Sequence, residues 1–365
     1  MTAVGDARVS RCRAKLPVVR RVDKVRVRHG RLLVLDDLEN RIVRVDLKTG
    51  TAIPIGRPGP GPGEYTLPMS LLPLAADTTL AVDMSGGGRA LVIAARGASP
   101  RPLASAGFSG GAPLFYRDDI QTDARGNLYE LVTLTSPPDR QAGLSGIRRL
   151  DRASGRLDTI GRVSLLVRSP LRRAAARPGN EASRMPSGGP PPPYASVDQW
   201  AVAPDGRIAI VSVEPYRVHF IERSGRKVDG PELRYTPVPM SAALKAAWRE
   251  REEQTISRIV WAPGGAMSVN RTRRTYREPS EWPDELPAFL RRALRFAPDG
   301  MLWVERAGPA GAGQVFDMID VRGAIVRRVV LAQGLRLVGL GRSGVYTVRR
   351  DADDLEFLQL HALTP

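Results

Sequence analysis

Trp200-Ala201-Val202-Ala203-Pro204-Asp205-Gly206 runs directly into Arg207-Ile208-Ala209-Ile210-Val211-Ser212-Val213. An apolar stretch stops at an Asp-Gly pair, and an alternating apolar stretch follows. Asp-Gly suits a tight turn between antiparallel strands, whose central positions favour positive φ. A period of two puts alternate side chains on one face, which is strand and not helix patterning.

The same phrase recurs. Arg295-Phe296-Ala297-Pro298-Asp299-Gly300 precedes a strand over 301–305, and 120–125 with Gly126 precedes one over 128–133. Fainter copies are Val25-Arg26-Val27-Arg28-His29-Gly30 before 31–36, the run 337–344 before 345–350, and a weak one within 69–84. Six units result. Two long connectors interrupt them, at 164–197 and 236–292. Without these the chain divides into units of roughly 46 residues, near the ~40–50 of four-stranded propeller blades. Abundant Gly (36) and Pro (31) supply the many turns such blades require.

The last unit offers only three strands before the chain ends, whereas an extra apolar segment, 17–21, precedes the first. Pairing that N-terminal strand into the last blade closes the ring and hides its sheet edges. The expected fold is therefore all-β: a six-bladed β-propeller over 17–365, closed by an N-terminal strand, with 1–16 a flexible segment. The second connector predicts a helix over 242–257, capped by Ser241 and placed between blades 4 and 5. The first connector is rich in Pro, Gly, Arg and Ala over 168–194 and reads as a polyproline spacer.

The formal charge of +17 invites a nucleic-acid reading. Of the 55 basic residues only five are lysine, and the arginines are scattered, without the clustering a phosphate-tracking groove needs. Nucleic acid is not the expected partner. Cys12 is the only cysteine, so no internal disulfide forms. No segment reaches the ~18 apolar residues of a membrane span. The segment 1–15 lacks the apolar core of an export signal. The expected state is a monomer.

At this point a resemblance emerges. Asp37-Leu38-Glu39-Asn40-Arg41-Ile42-Val43-Arg44-Val45-Asp46 resembles the strand–loop–strand core of NHL repeats. The run from Ile55-Gly56-Arg57-Pro58-Gly59 through Pro60-Gly61-Pro62-Gly63-Glu64-Tyr65-Thr66-Leu67-Pro68 is similar to the Gly-Pro-Gly-Glu-aromatic connector of that family. The resemblance implies a six-bladed propeller, often a bacterial protein of extracytoplasmic location.

In such a ring the loops joining second to third strands and those joining consecutive blades share one face. Both long connectors and the loop 136–146 fall there, which marks the face for recognition. Candidate contacts are Arg41, Arg57, Glu64, Arg217 and Glu305. Register points to the channel mouth: eight residues before Gly126, Gly206, Gly300 and Gly344 stand Asp118, Asp198, Arg292 and Arg336. No His-based metal motif, phosphate loop or nucleophile elbow is present. The expected function is a non-catalytic scaffold that binds a protein, peptide or glycan, with no catalytic residue, metal or cofactor. The alternative is a metal-dependent lyase or lactonase at the central channel, for which calcium would be the cofactor, on analogy of fold.

Overall fold

A computed structural model describes every residue except 1–4, 16–21, 29–30, 37–38, 47–48, 50, 76–77, 84–88, 95–99, 103–119, 167–191, 254, 262–266, 274–277, 343, 353–354 and 364–365. The chain opens with β1 (Gly5–Lys15). Blade 1 is β2 (Val22–Arg28), β3 (Arg31–Asp36), β4 (Arg41–Asp46) and β5 (Ala52–Pro54). Blade 2 is β6 (Pro68–Pro73), β7 (Thr79–Asp83), β8 (Arg89–Ile93) and β9 (Arg101–Pro102). Blade 3 is β10 (Gln121–Thr122), β11 (Leu128–Thr133), β12 (Leu144–Leu150) and β13 (Leu157–Ser164), with α1 (Pro137–Gln141) between β11 and β12.

Blade 4 is β14 (Gln199–Val202), β15 (Ile208–Ser212), β16 (Arg217–Ile221) and β17 (Lys227–Glu232). Between blades 4 and 5 lie α2 (Ala242–Glu253) and a separate hairpin of β18 (Thr255–Trp261) and β19 (Met267–Arg273). Blade 5 is β20 (Leu294–Phe296), β21 (Leu302–Glu305), β22 (Val315–Ile319) and β23 (Ile325–Val330). Blade 6 is β24 (Leu335–Gly341), β25 (Gly344–Arg350) and β26 (Glu356–Leu363), completed by β1. Each blade is an antiparallel meander.

The closing strand is β1, so the expectation for 1–16 is corrected. The register runs Val9 against Leu363, Ser10 against Ala362 and Cys12 against His361. Residues 16–21, which include the expected closing segment 17–21, lie outside the described residues. The start of β1 also pairs in parallel with β23, from Gly5 with Arg327 to Arg8 with Val330. One strand thereby joins blades 5 and 6 into a single eight-stranded sheet.

The period-two pattern buries alternate residues between neighbouring blades. Tyr129 and Leu131 pack with Trp200 and Val202 across blades 3 and 4. Val304 and Leu302 pack with Val211 and Phe220 across blades 4 and 5. Trp303 and Phe316 face Leu337 and Val345 of blade 6. Leu32 and Val34 of blade 1 meet Tyr346 and Val348 of blade 6, which closes the circle hydrophobically as well as by hydrogen bonding.

The Asp-Gly turns differ in detail from a two-residue hairpin. Only the glycine takes positive φ, at 89° for Gly206 and 86° for Gly300. The aspartate instead accepts from the amide two residues on: Arg207 N to Asp205 Oδ1 and Met301 N to Asp299 Oδ1 are both 3.0 Å. This is a type I turn followed by a left-handed glycine, with proline at its favoured second position.

Helix α2 starts as expected: Ser241 Oγ accepts from Leu244 N at 3.2 Å. It ends at Glu253 and not at residue 257, because Thr255, Ile256 and Ser257 belong to β18. Two successive β-branched residues prefer the pleated surface to a helix interior.

Candidate functional site

The segment between blades 1 and 2 shows why its sequence is so restricted. Glu64 folds back into its own loop, where Oε2 accepts from Gly61 N at 2.8 Å. A Cβ at Gly59 or Gly61 would collide with that carboxylate. Arg57 Nε donates to Glu64 Oε1 at 2.5 Å from an exposed position. Tyr65 then enters the core. Its hydroxyl donates to Ile55 O at 2.7 Å and accepts from Ile42 N at 3.0 Å, fastening the start of blade 2 to two strands of blade 1. Burial pushes its phenol above the usual tyrosine value.

The remaining described candidates sit at or beside strand ends of the same face. Arg41 opens β4 and reaches the buried Asp36 at 3.3 Å. Asp198 precedes β14, and its Oδ1 accepts from Val213 N at 3.0 Å. Arg217 opens β16 opposite Ser212 of β15 and Glu232 of β17. Glu305 ends β21, faces Arg295 at 3.6 Å and accepts from Gln314 Nε2 at 2.6 Å. Arg336 of β24 crosses to Glu356 of β26 at 3.1 Å. Arg292 stands exposed before β20 with φ of 63°. Asp118 lies outside the described residues. The structure therefore brings Arg57 to Glu64, and distributes the other described candidates over blades 1, 4, 5 and 6.

Calcium takes six to eight oxygens. Among the described residues, no group of three or more His, Cys, Asp and Glu is placed to hold a metal ion. Asp198 is engaged by backbone, and the described mouth residues do not offer that donor set.

Several structural devices escape sequence reasoning. Gln121 of β10 bridges the inner edge of blade 4, donating to Trp200 O at 3.1 Å and accepting from Val202 N at 2.8 Å. Gln199 repeats this one blade later, donating to Leu290 O at 2.6 Å and accepting from Ala293 N at 2.9 Å. A side-chain amide thus imitates a peptide group and pairs inner strands that are too far apart to pair directly. Nothing in sequence distinguishes these glutamines from surface ones.

A buried ionic cluster joins blades 4 and 5. Asp317 of β22 accepts from Arg306 Nη1 at 3.1 Å, Arg328 Nε at 3.0 Å and Tyr216 OH at 3.2 Å. Arg306 also lies 4.8 Å from the centre of the Tyr235 ring and donates to Ala288 O at 2.8 Å. Burial drives the Tyr216 phenol well above its ordinary value, and the neighbouring Asp317 charge adds to this. The cluster fixes the floor beneath the second connector.

The expected polyproline spacer over 168–194 lies outside the described residues up to 191, and its last residues meet the second connector above that floor. Tyr194, at the end of the first, donates its hydroxyl to Leu244 O at 2.6 Å, in the first turn of α2. Tyr194, Leu244 and Leu286 form a separate buried core. Val238, Met240, Trp248, Trp282 and Leu290 pack on it, as do Ala307 and Ala310 of the β21–β22 loop. Met240 N to Asp284 O and Leu286 N to Val238 O, both 2.8 Å, draw the two ends of the second connector together. An ordered cap with its own core therefore covers the inserted face over blades 4 and 5.

No protein-family model matches the chain, and no curated protein matches it. Solved structures do. A putative exported protein from Bacteroides fragilis is 12% identical over 99% of each chain, with a TM-score of 0.51. Regucalcin from Agrobacterium tumefaciens, described as a calcium-binding protein, is 12% identical over 100% of this chain and 98% of its own, with a TM-score of 0.43. Virginiamycin B lyase from Staphylococcus aureus is 11% identical over 94% and 87%, with a TM-score of 0.37. At such identity the likeness concerns the fold alone. With the blade topology, it makes the chain a six-bladed β-propeller.

Proposed function

We propose that the chain is a non-catalytic binding scaffold that holds a protein or other ligand on its inserted face. The observation that carries this reading is the cap. Tyr194, the described part of the second connector around α2 and 278–290, and the β21–β22 loop, distant in sequence, are joined into one surface by the Tyr194–Leu244 bond and a common apolar core. Ordering the residues that build this core costs conformational entropy, and a packed loop surface on a propeller suits recognition. The mouth carboxylate Asp198 and the rim residue Glu305 serve backbone and side-chain contacts within the fold.

The test is site-directed photo-crosslinking in the cells that make the protein. One photoreactive residue replaces the exposed Ala246 on α2, and another replaces the exposed Ser224 in the β16–β17 turn of the opposite face. A specific adduct from position 246 and none from 224 supports the scaffold. Adducts only from 224, or none from either, contradict it.

A further inference from the structure

Blades 1 to 4 are separate four-stranded sheets, whereas blades 5 and 6 share one. Among the described strands, ladder hydrogen bonds pass from blade to blade only where β1 crosses from β23 to β26. The crossing divides the strand. Gly5 to Arg8 lie parallel to Arg327 to Val330 on the outer edge of blade 5, and Val9 to Lys15 complete blade 6.

The inner side of the same seam is the loosest joint of the ring. Inner strands of neighbouring blades lie close together from β24 by β2 through β6, β10 and β14 to β20, and the approach is least between β20 and β24. Gln121 and Gln199 bridge blade 3 to blade 4 and blade 4 to blade 5. β20 is Leu294-Arg295-Phe296 and has no amide side chain to continue that series. Gln314 reaches β24 instead, where its Oε1 accepts from Leu337 N at 2.7 Å. Gln314 stands in the β21–β22 loop, which also sends Ala307 and Ala310 into the core of the cap. The chain passes from β23 to β24 through 331–334, where Gly334 has φ of 80° and open space at the position of a Cβ. A residue so placed can act as a hinge.

We infer that residues 5–8 are a strap. While they lie on β23 the seam between blades 5 and 6 is held shut. When they peel away, the seam opens about Gly334 and loosens the cap through the β21–β22 loop. The strap lets go before the blades do. Parallel pairing is slightly weaker per residue than antiparallel pairing, and Gly5 and Ala7 bring almost no side chain to it. An outer-edge strand opens locally while buried strands stay closed. The apolar contact of Trp303 and Phe316 with Leu337 and Val345 draws the seam together again.

The experiment is hydrogen–deuterium exchange of the full chain, read peptide by peptide under native conditions. Ala7→Pro loosens the strap, because proline lacks the N–H and fixes φ. Gly5→Cys with Arg327→Cys, in a Cys12→Ser background, locks it, since these two residues are paired in register. Neighbouring strands stand about 4.7–4.9 Å apart, within reach of a disulfide. The oxidised and reduced forms of the locked variant are compared with each other, so the test survives a failure of Ala7→Pro to fold.

In Ala7→Pro, β24 around Leu337 and helix α2 should exchange roughly tenfold faster, and blades 2 and 3 should stay within about twofold of the parent chain. Oxidation of the locked variant should slow β24 and α2 relative to the reduced form. A rise confined to β23 shows a strand that peels without opening the seam, and overturns the inference. So does a rise at β24 without one at α2, an equal rise in every blade, or a rise at β2 and β3, which would put the opening between blades 6 and 1. Equal exchange in the oxidised and reduced forms also overturns it. No ligand takes part in either comparison, so the scaffold reading stands or falls separately.

Discussion

Tyr65→Phe isolates one hydroxyl with two defined jobs. The side chain is 1% exposed, so the ring keeps its packing against Leu35, Ile42 and Ile55. What goes is the acceptor for Ile42 N–H and the donor to Ile55 O, at 3.0 and 2.7 Å. Water has little access to either group, so the amide is left buried without a partner. Such a loss costs about 1–3 kcal/mol. In a domain of this size that corresponds to a melting temperature lower by about 1–4 °C. Urea unfolding followed by tryptophan fluorescence should show a lower midpoint at an unchanged slope, since the surface exposed on unfolding stays the same. A midpoint and melting temperature equal to wild type would mean that the hydroxyl does not fasten blade 2 to blade 1. The role assigned to the Gly-Pro-Gly-Glu-Tyr segment would then be wrong.

Gly323→Ala should destabilise by about 2–4 kcal/mol, through overpacking and left-handed strain. Its φ is 80° and an added Cβ would stand 2.6 Å from Gly230 Cα, a backbone atom that cannot step aside. Asp317→Ala should cost about 3–5 kcal/mol, because Arg306 is left charged and buried, and Asp317→Asn should cost less; equal effects would refute the ionic reading. Desolvation holds the His361 imidazole below its ordinary value of 6.5, with Nε2 2.8 Å from Thr347 Oγ1. The unfolded chain therefore takes up the proton first as pH falls, so stability is greatest above pH 6.5 and declines below it until the folded imidazole is protonated. Thermal melts from pH 7.5 downward should show this slope, and His361→Gln should flatten it.

Blade number, the two connectors and the position of the helix were legible because each leaves a local signature. Period-two strands, Asp-Gly turns and a Ser N-cap can all be read within a dozen residues. Ring closure was legible as a count of strands, but the identity of the closing strand was not. Nothing in Val9-Ser10-Arg11-Cys12-Arg13 marks it as a strand more strongly than the run 17–21. Its partners, β26 and β23, lie at the other end of the chain. The helix was extended over Ile256 because that residue fits a helical stripe, whereas the hairpin with β19 claims it.

The candidate site was legible only as a face. Register placed Arg41, Asp198, Arg217, Glu305 and Arg336 at strand ends, but register cannot say whether a charge meets a ligand or a neighbour. Glu64 illustrates the difference, since Gly59 and Gly61 leave room for its carboxylate. The cap's core was invisible for the same reason. Tyr194, Leu244 and Leu286 lie far apart in sequence and come together only in the folded chain.

The placement of the inserted face depends on the ring closing through β1, and a disulfide trap measures that directly. In a Cys12→Ser background, Ser10→Cys and Ala362→Cys occupy directly opposed positions of β1 and β26. Opposed residues on antiparallel strands stand about 4.5–5.5 Å apart at Cα, within reach of a disulfide. Mild oxidation of the folded protein should link the two quantitatively and raise the melting temperature. Two free thiols after oxidation, in a protein that remains folded, would show that β1 does not complete blade 6.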